Sequence, residues 1–263
     1  DGPTGDFGKR IDAFLENVDS NIQKLILTDE TLRQSVCWSE DDMKSGRIYL
    51  AMEMIRNDVV KYLQKSKHEF RESSVVIVGN ETKLSCKLDV SGHNLTLFGI
   101  VDRLETEVDP ETNKRHLTVV DYKTGKVNKD HLNVAVTESE QPFKDPQYKE
   151  FVQLFCYALL CKYGNNKVVK QYCGDQPTQC AILSIQDVNT GDDYLHRAFI
   201  AESVEKRKPI GESPDFTEER IGILEEKLKL LLSEIIDPEM PFSQTEDEKR
   251  CALCDFKHLC GRT

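Results

Sequence analysis

The chain has 263 residues with 46 acidic and 35 basic side chains, giving a formal net charge of −11. That balance argues against a protein that grips nucleic acid nonspecifically and unaided, which usually requires a basic surface. It does not argue against nucleic-acid chemistry assisted by metal ions or a partner. The hydrophobic fraction of 38% is enough for a core, no apolar run approaches the length of a membrane span, and no signal peptide is recognisable.

Taken in order, residues 8–27 carry Ile11, Phe14, Leu15, Val18, Ile22, Leu25 and Ile26 at helical spacing. A second helix is expected over 41–66, with Ile48, Met52, Ile55, Val59 and Leu63 on one face, and Cys37 and Trp38 lie between the two. Ser74–Val78 reads as a short strand, Gly79-Asn80 as a turn, and Glu81–Val90 as a second strand. Ser91-Gly92-His93-Asn94 then turns the chain into Leu97–Glu105. Asp109–Lys114 reads as the turn into the apolar strand Leu117–Val120, which is interrupted by Asp121-Tyr122-Lys123. From there to Pro146 the chain looks loop-like and carries the basic residues Lys123, Lys126, Lys129 and Lys144, with Lys149 just beyond. Tyr148–Tyr163 is a strongly apolar helix ended by Gly164-Asn165-Asn166. Cys180–Ile185 and residues 194–201 are strand candidates separated by Asn189–Asp192. Thr217 is a plausible N-cap for a helix to Ile236, with Glu218 and Glu219 in its first turn. The simplest parse is one α/β domain with a helical part over 1–70, a sheet core over 75–200, and a final helix and cysteine-rich tail over 215–263. The nine cysteines include Cys156, Cys161 and Cys180 in apolar runs, which suits a reducing, cytoplasmic setting. A start at Asp1 rather than methionine reads as a piece of a longer protein.

Two acids interrupt neighbouring strands. Asp102 and Asp121 suit a hard cation such as Mg²⁺, which needs few protein oxygens and keeps sites for water and phosphate. Lys123 leaves the same strand face as Asp121 and would supply positive charge to the reacting group. A structural ion pair explains the same spacing, and spacing alone does not separate the two. Gln153 and Tyr157, four apart on the apolar helix, share one helical face. A glutamine in such a run needs a partner, because an unsatisfied buried amide is costly.

The strings Gly99-Ile100-Val101-Asp102, Val120-Asp121-Tyr122-Lys123-Thr124-Gly125 and Gln153-Leu154-Phe155-Cys156-Tyr157 together resemble the RecB-type branch of the PD-(D/E)XK nuclease superfamily. The resemblance covers roughly residues 75–165 and implies a restriction-endonuclease-like core, a mixed sheet flanked by helices. It implies a Mg²⁺- or Mn²⁺-dependent deoxyribonuclease whose active site is Asp102, Asp121 and Lys123. Gln153 and Tyr157 would contact DNA or orient the lysine, and Glu81 matches an acid often found on the preceding strand. Exonuclease action in DNA recombination and repair, beside a helicase motor domain or subunit, is the implied setting. The rival is a catalytically silent relative kept for DNA binding or scaffolding.

The tail spaces Cys251, Cys254 and Cys260 as C-x2-C-x5-C, which suits metal ligation. In AddB-type helicase-nucleases and CRISPR adaptation nucleases, the same spacing resembles three ligands of a [4Fe–4S] cluster. The fourth cysteine there lies upstream, and Cys37 is the candidate here. Zinc, with His258 as the fourth ligand, is the alternative. The family's early G-x-x-x-H-x-x-x-E helix finds only Gly8 to Glu16, with Asp12 in the histidine's place. Asp12 therefore stands in as an oxygen ligand, or the true histidine helix precedes Asp1.

Overall fold

The computed structural model describes residues 3–72, 75–108, 113, 115–173, 176–191, 193–205, 208–241, 243–245, 248–252 and 254–262. The helical part comprises α1 (Pro3–Glu16), α2 (Val18–Thr28), α3 (Glu30–Val36) and α4 (Gly46–Glu72). The single helix expected over 8–27 breaks at Asn17, whose backbone leaves helical geometry at φ −130°, ψ 40°. Its N–H reaches back only to the Phe14 carbonyl, and the Asn21 amide bonds that same oxygen at 2.9 Å. The break lets Val18, Ile22 and Ile26 form a separate small core with Met43 and Met52, against which Trp38 packs. α4 starts later and runs further than the expected 41–66; a 3-10 turn over Asp42–Lys44 precedes it, where the Ser39 N–H and hydroxyl both donate to the Asp42 carboxylate.

The sheet begins with β1 (Val76–Val90), β2 (His93–Val108) and β3 (Arg115–Lys123), paired antiparallel in that order. The expected turn at Gly79-Asn80 is instead a β-bulge. The register shifts by one between Ile77–Glu105 and Gly79–Leu104, and the strand continues through it. Ser91 and Gly92, at φ 52° and 79°, make the two-residue hairpin turn between β1 and β2. The expected turn Asp109–Lys114 lies outside the described residues except for Asn113, as do Ser74 and Asp192.

The segment expected as a loop holds β4 (Asn133–Ala135) and α5 (Gln141–Lys144) among 3-10 turns. Then come α6 (Lys149–Tyr163), α7 (Lys167–Cys173), β5 (Thr178–Ser184), α8 (Ile185–Thr190), β6 (Leu195–Arg197), β7 (Phe199–Ala201), β8 (Ser203–Glu205), β9 (Lys208–Ile210), β10 (Asp215–Phe216) and α9 (Glu218–Ile236). β4 is formed by parallel pairing with β7, a long-range partner that no local pattern announces. β5 lies parallel to β3, and the main sheet runs β1-β2-β3-β5-β10 with β6 also on β5. This is the mixed sheet flanked by helices expected from the sequence.

Connecting parallel strands requires a crossover, and α6 supplies it. Phe151, Leu154, Phe155, Ala158 and Leu159 are fully buried in the main core with Leu104, Leu117 and Val119 of the sheet. All seven residues of β5 are buried, as a strand covered on both faces should be. Thr217 caps α9 by accepting the Arg220 N–H, as its sequence position predicts.

Candidate functional site

β3 alternates its side chains. Val119 joins the core under α6, Val120 joins a second cluster with Leu183 and Tyr194, and Asp121 and Lys123 turn back towards α6. Asp121 is only 3% exposed. Lys123 Nζ lies 2.8 Å from Asp121 Oδ2 and donates to Gln153 Oε1 at 2.8 Å. The Gln153 amide donates to Asp121 Oδ1 and to the Tyr157 hydroxyl, each at 2.9 Å. The glutamine thus finds its partners by bridging the acid, the lysine and the tyrosine.

β2 separates from β3 at this point. Their pairing ends at Arg103–Val120. Beyond it the Tyr122 N–H donates to Asp102 Oδ2 at 2.7 Å, so a carboxylate replaces the next strand partner. On the β2 side the Ile100 carbonyl accepts the Tyr157 hydroxyl at 3.1 Å. Asp102 and Asp121 therefore sit where two strands part, beside the polar face of α6. Gly99 permits the approach of β2 to α6: a Cβ there would meet Leu160 at 3.1 Å and the Tyr157 ring at 3.2 Å.

Burial raises the Asp121 pKa above its ordinary value; Lys123 opposes this and the Asp102 charge reinforces it. Burial likewise raises the Tyr157 hydroxyl, against the Gln153 bond, so it stays neutral and can donate. The Cys156 thiol is pushed up to about 11 by burial, which removes it as a nucleophile at neutral pH. Asp121 Oδ2 is buried and has no partner in hydrogen-bonding geometry, despite its closeness to Lys123. An acceptor left over beside a second carboxylate fits a small divalent cation. Mg²⁺ takes only one or two carboxylates and keeps water in its other positions.

Flanked by the pairs Asn80–Arg103 and Thr82–Val101, Glu81 lies across from Asp102. It is exposed and held at φ 45°, a left-handed backbone uncommon for a glutamate. Asp12 forms an ion pair with Lys67 of α4. Among the described residues no three His, Cys, Asp or Glu side chains gather to hold a metal. Neither Glu81 nor Asp12 therefore completes a triad with Asp102 and Asp121. The same holds for Cys251, Cys254, Cys260, Cys37 and His258. The tail is folded by short-range turn bonds, such as Cys254 N–H to the Cys251 carbonyl, with Cys254 and Cys260 exposed. Cys37 is exposed at φ 51° and donates to the Gln34 carbonyl.

The lysines beyond β3 are largely spoken for: Lys129 pairs with Asp193, Lys144 with Glu140, and Lys149 with Glu150. Behind β3 lies a network that sequence reasoning missed. Arg103, 4% exposed, sits 3.0 Å from Glu105 and donates to the Tyr62 hydroxyl at 2.6 Å. Its guanidinium stands over the Tyr122 ring, 5.5 Å from the centroid. Tyr122 is thereby held by its ring from Arg103 and by its N–H from Asp102, which fixes the backbone between Asp121 and Lys123. Two opposite charges at alternate positions of a buried strand, Arg103 and Glu105, were the available signal.

A sequence model of the PD-(D/E)XK nuclease superfamily matches residues 2–261. No curated protein matches the sequence. The match spans nearly the whole chain, and the chain belongs to the PD-(D/E)XK nuclease superfamily, whose members generally use divalent metals such as Mg²⁺ or Mn²⁺.

Proposed function

We propose that this member of the nuclease superfamily is a Mg²⁺- or Mn²⁺-dependent deoxyribonuclease of the RecB/AddB type. The observation carrying the reading is the Gln153-centred network, which brings Asp121, Lys123 and Tyr157 together beside Asp102. Asp102 and Asp121 would hold the cation, which supplies a polarised phosphoryl oxygen and a water of lowered pKa. Lys123, oriented by Gln153 and Asp121, stabilises charge that develops on the phosphate in the transition state. Tyr157 donates to the Ile100 carbonyl and so ties α6 to β2, keeping Asp102 beside Asp121. Exonuclease action in DNA recombination and repair, beside a helicase motor, would compensate for the acidic balance of the chain. Cys37, Cys86, Cys156, Cys161, Cys180, Cys251, Cys254 and Cys260 are free thiols, which fits a reducing, cytoplasmic setting. The tail spacing supports a [4Fe–4S] cluster on Cys251, Cys254 and Cys260, with Cys37 as fourth ligand. A band near 400 nm in protein purified without oxygen would carry that reading. A colourless protein with stoichiometric zinc would replace it.

The rival, a catalytically silent DNA-binding or scaffolding relative, is favoured by one observation: no third ligating side chain joins the two acids among the described residues. Incubation with linear DNA and Mn²⁺ beside an Asp121→Ala control separates the two. Degradation by the wild-type chain alone supports the nuclease, and equal degradation by both proteins sinks it.

A further inference from the structure

The outer face of the β1–β2 hairpin leads to Asp102. Along β2 the alternate residues Phe98, Ile100 and Asp102 leave one side, and along β1 they stand beside Ser85, Lys83 and Glu81. The opposite side carries Leu97, Val101, Leu84 and Cys86 into or against the core. Phe98 is nonetheless 77% exposed and Ile100 44%. A phenylalanine left standing in water on a regular strand gains nothing for folding, since its burial is what would stabilise the chain. Lys83 and Lys87 flank it, exposed, and among the described residues neither forms an ion pair. They differ in this from Lys129, Lys144 and Lys149, each matched to an acid. On this face the two lysines bracket the exposed aromatic, and Glu81 and Asp89 stand at the two ends of the same row.

We infer that this hairpin face is a strip for a single DNA strand, with Phe98 stacking on a base and Lys83 and Lys87 gripping phosphates upstream of the scissile bond. This rests on the nuclease reading for its position but not for its test. Four residue steps along the strand, about 13 Å, separate Phe98 from Asp102. A few nucleotides of an extended single strand span that distance. An exposed ring accepts only an unpaired base, because bases inside a duplex have both faces stacked. The two lysines meet the phosphates, and Glu81 and Asp89 at the two ends confine the positive charge to the stretch beside Phe98.

Binding is measured in the Asp121→Ala background, where no strand is cut, by anisotropy of a labelled oligothymidine of about twelve nucleotides. Phe98→Ala is expected to weaken single-strand binding about tenfold and to change blunt-duplex binding little, and Phe98→Trp to restore it. Lys83→Ala with Lys87→Ala should reduce the slope of log affinity against log salt by about 1.4. Unchanged single-strand affinity in Phe98→Ala overturns the inference, as does an equal loss on duplex. A dimer in the parent that Phe98→Ala converts to monomer also overturns it and gives the face to a second copy. If wild-type protein cuts no DNA while Phe98→Ala still weakens binding, the nuclease reading falls and the strip stands. If it cuts DNA while the variants bind normally, the strip falls alone.

Discussion

The strands of the candidate site and the cysteine-rich tail carry two chemical patterns of similar sequence clarity, and the fold treats them in opposite ways. Asp121, Lys123 and Gln153 come from elements about thirty residues apart, yet their atoms meet at 2.8–2.9 Å. The three tail cysteines lie within ten residues of each other but do not gather as ligands, and beside them Phe256 and Leu259 are 67% and 85% exposed. The first pattern rides on buried hydrophobic surface: α6 is driven onto the sheet by Phe151, Leu154 and Phe155, and its polar residues arrive with it. The second has only local turns beneath it, so its thiolates would be brought together by the metal, in the way small metal sites couple binding to folding. Proximity in sequence does not assemble a site; packing or a ligand does.

The sharpest way to break the comparison is Asp121→Asn, expected to lower DNA cleavage more than about 10³-fold, a loss at least as large as removing one transition-state contact. The same variant should be more stable without metal. The raised pKa of Asp121 means the folded state holds its proton more tightly, so this group's stabilisation is full below the ordinary value of 3.8 and is lost as pH rises through the raised value. At neutral pH metal-free Asp121→Asn should therefore melt above wild type, by about 2–4 °C, with the gap closing in acid. A thermal melt at pH 7 showing the variant less stable would contradict this. Lys123→Met should cost about 10²- to 10³-fold in kcat, with little change in metal affinity, read from a metal titration of activity. Gln153→Ala removes the group that orients both Lys123 and Asp121. A loss of about tenfold to a hundredfold in kcat is expected, larger than that of Tyr157→Phe in the same assay. Gly99→Ala presses on Leu160 and Tyr157, and denaturant unfolding should show a loss of about 1–3 kcal/mol. Smallest for the fold is Cys254→Ser with Cys260→Ser: any 400 nm absorbance should disappear, while the core's melting temperature moves by less than about 2 °C. Collapse of the core on that change would mean that tail and sheet are one cooperative unit.

Much of the frame was legible. Helices α6 and α9, the β1–β2 hairpin turn and the strand bearing Asp121 follow from periodicity, capping and turn chemistry, because each is specified by residues close in sequence. The elements that were missed depend on distant partners. β4 exists because it pairs with β7, and the bulge at Gly79 is set by the register of β2. Asn17 breaks a helix whose apolar pattern runs straight through it. Arg103 is bonded to Tyr62, more than forty residues earlier, a partner that nothing near it in sequence announces.

By itself, the sequence nominated the candidates for the chemistry: Asp102, Asp121, Lys123, Gln153 and Tyr157 stood out by residue type and spacing, and a family resemblance joined them into one proposed site. Only the tertiary structure decided their relations. It made Gln153 the bridge, set the Tyr122 N–H on Asp102, buried Asp121 against Lys123 and left Phe98 exposed. The physical reason is that residue identity fixes what a group can donate or accept. Whether it finds a partner is decided by backbone paths that hydrophobic burial brings together across the whole chain.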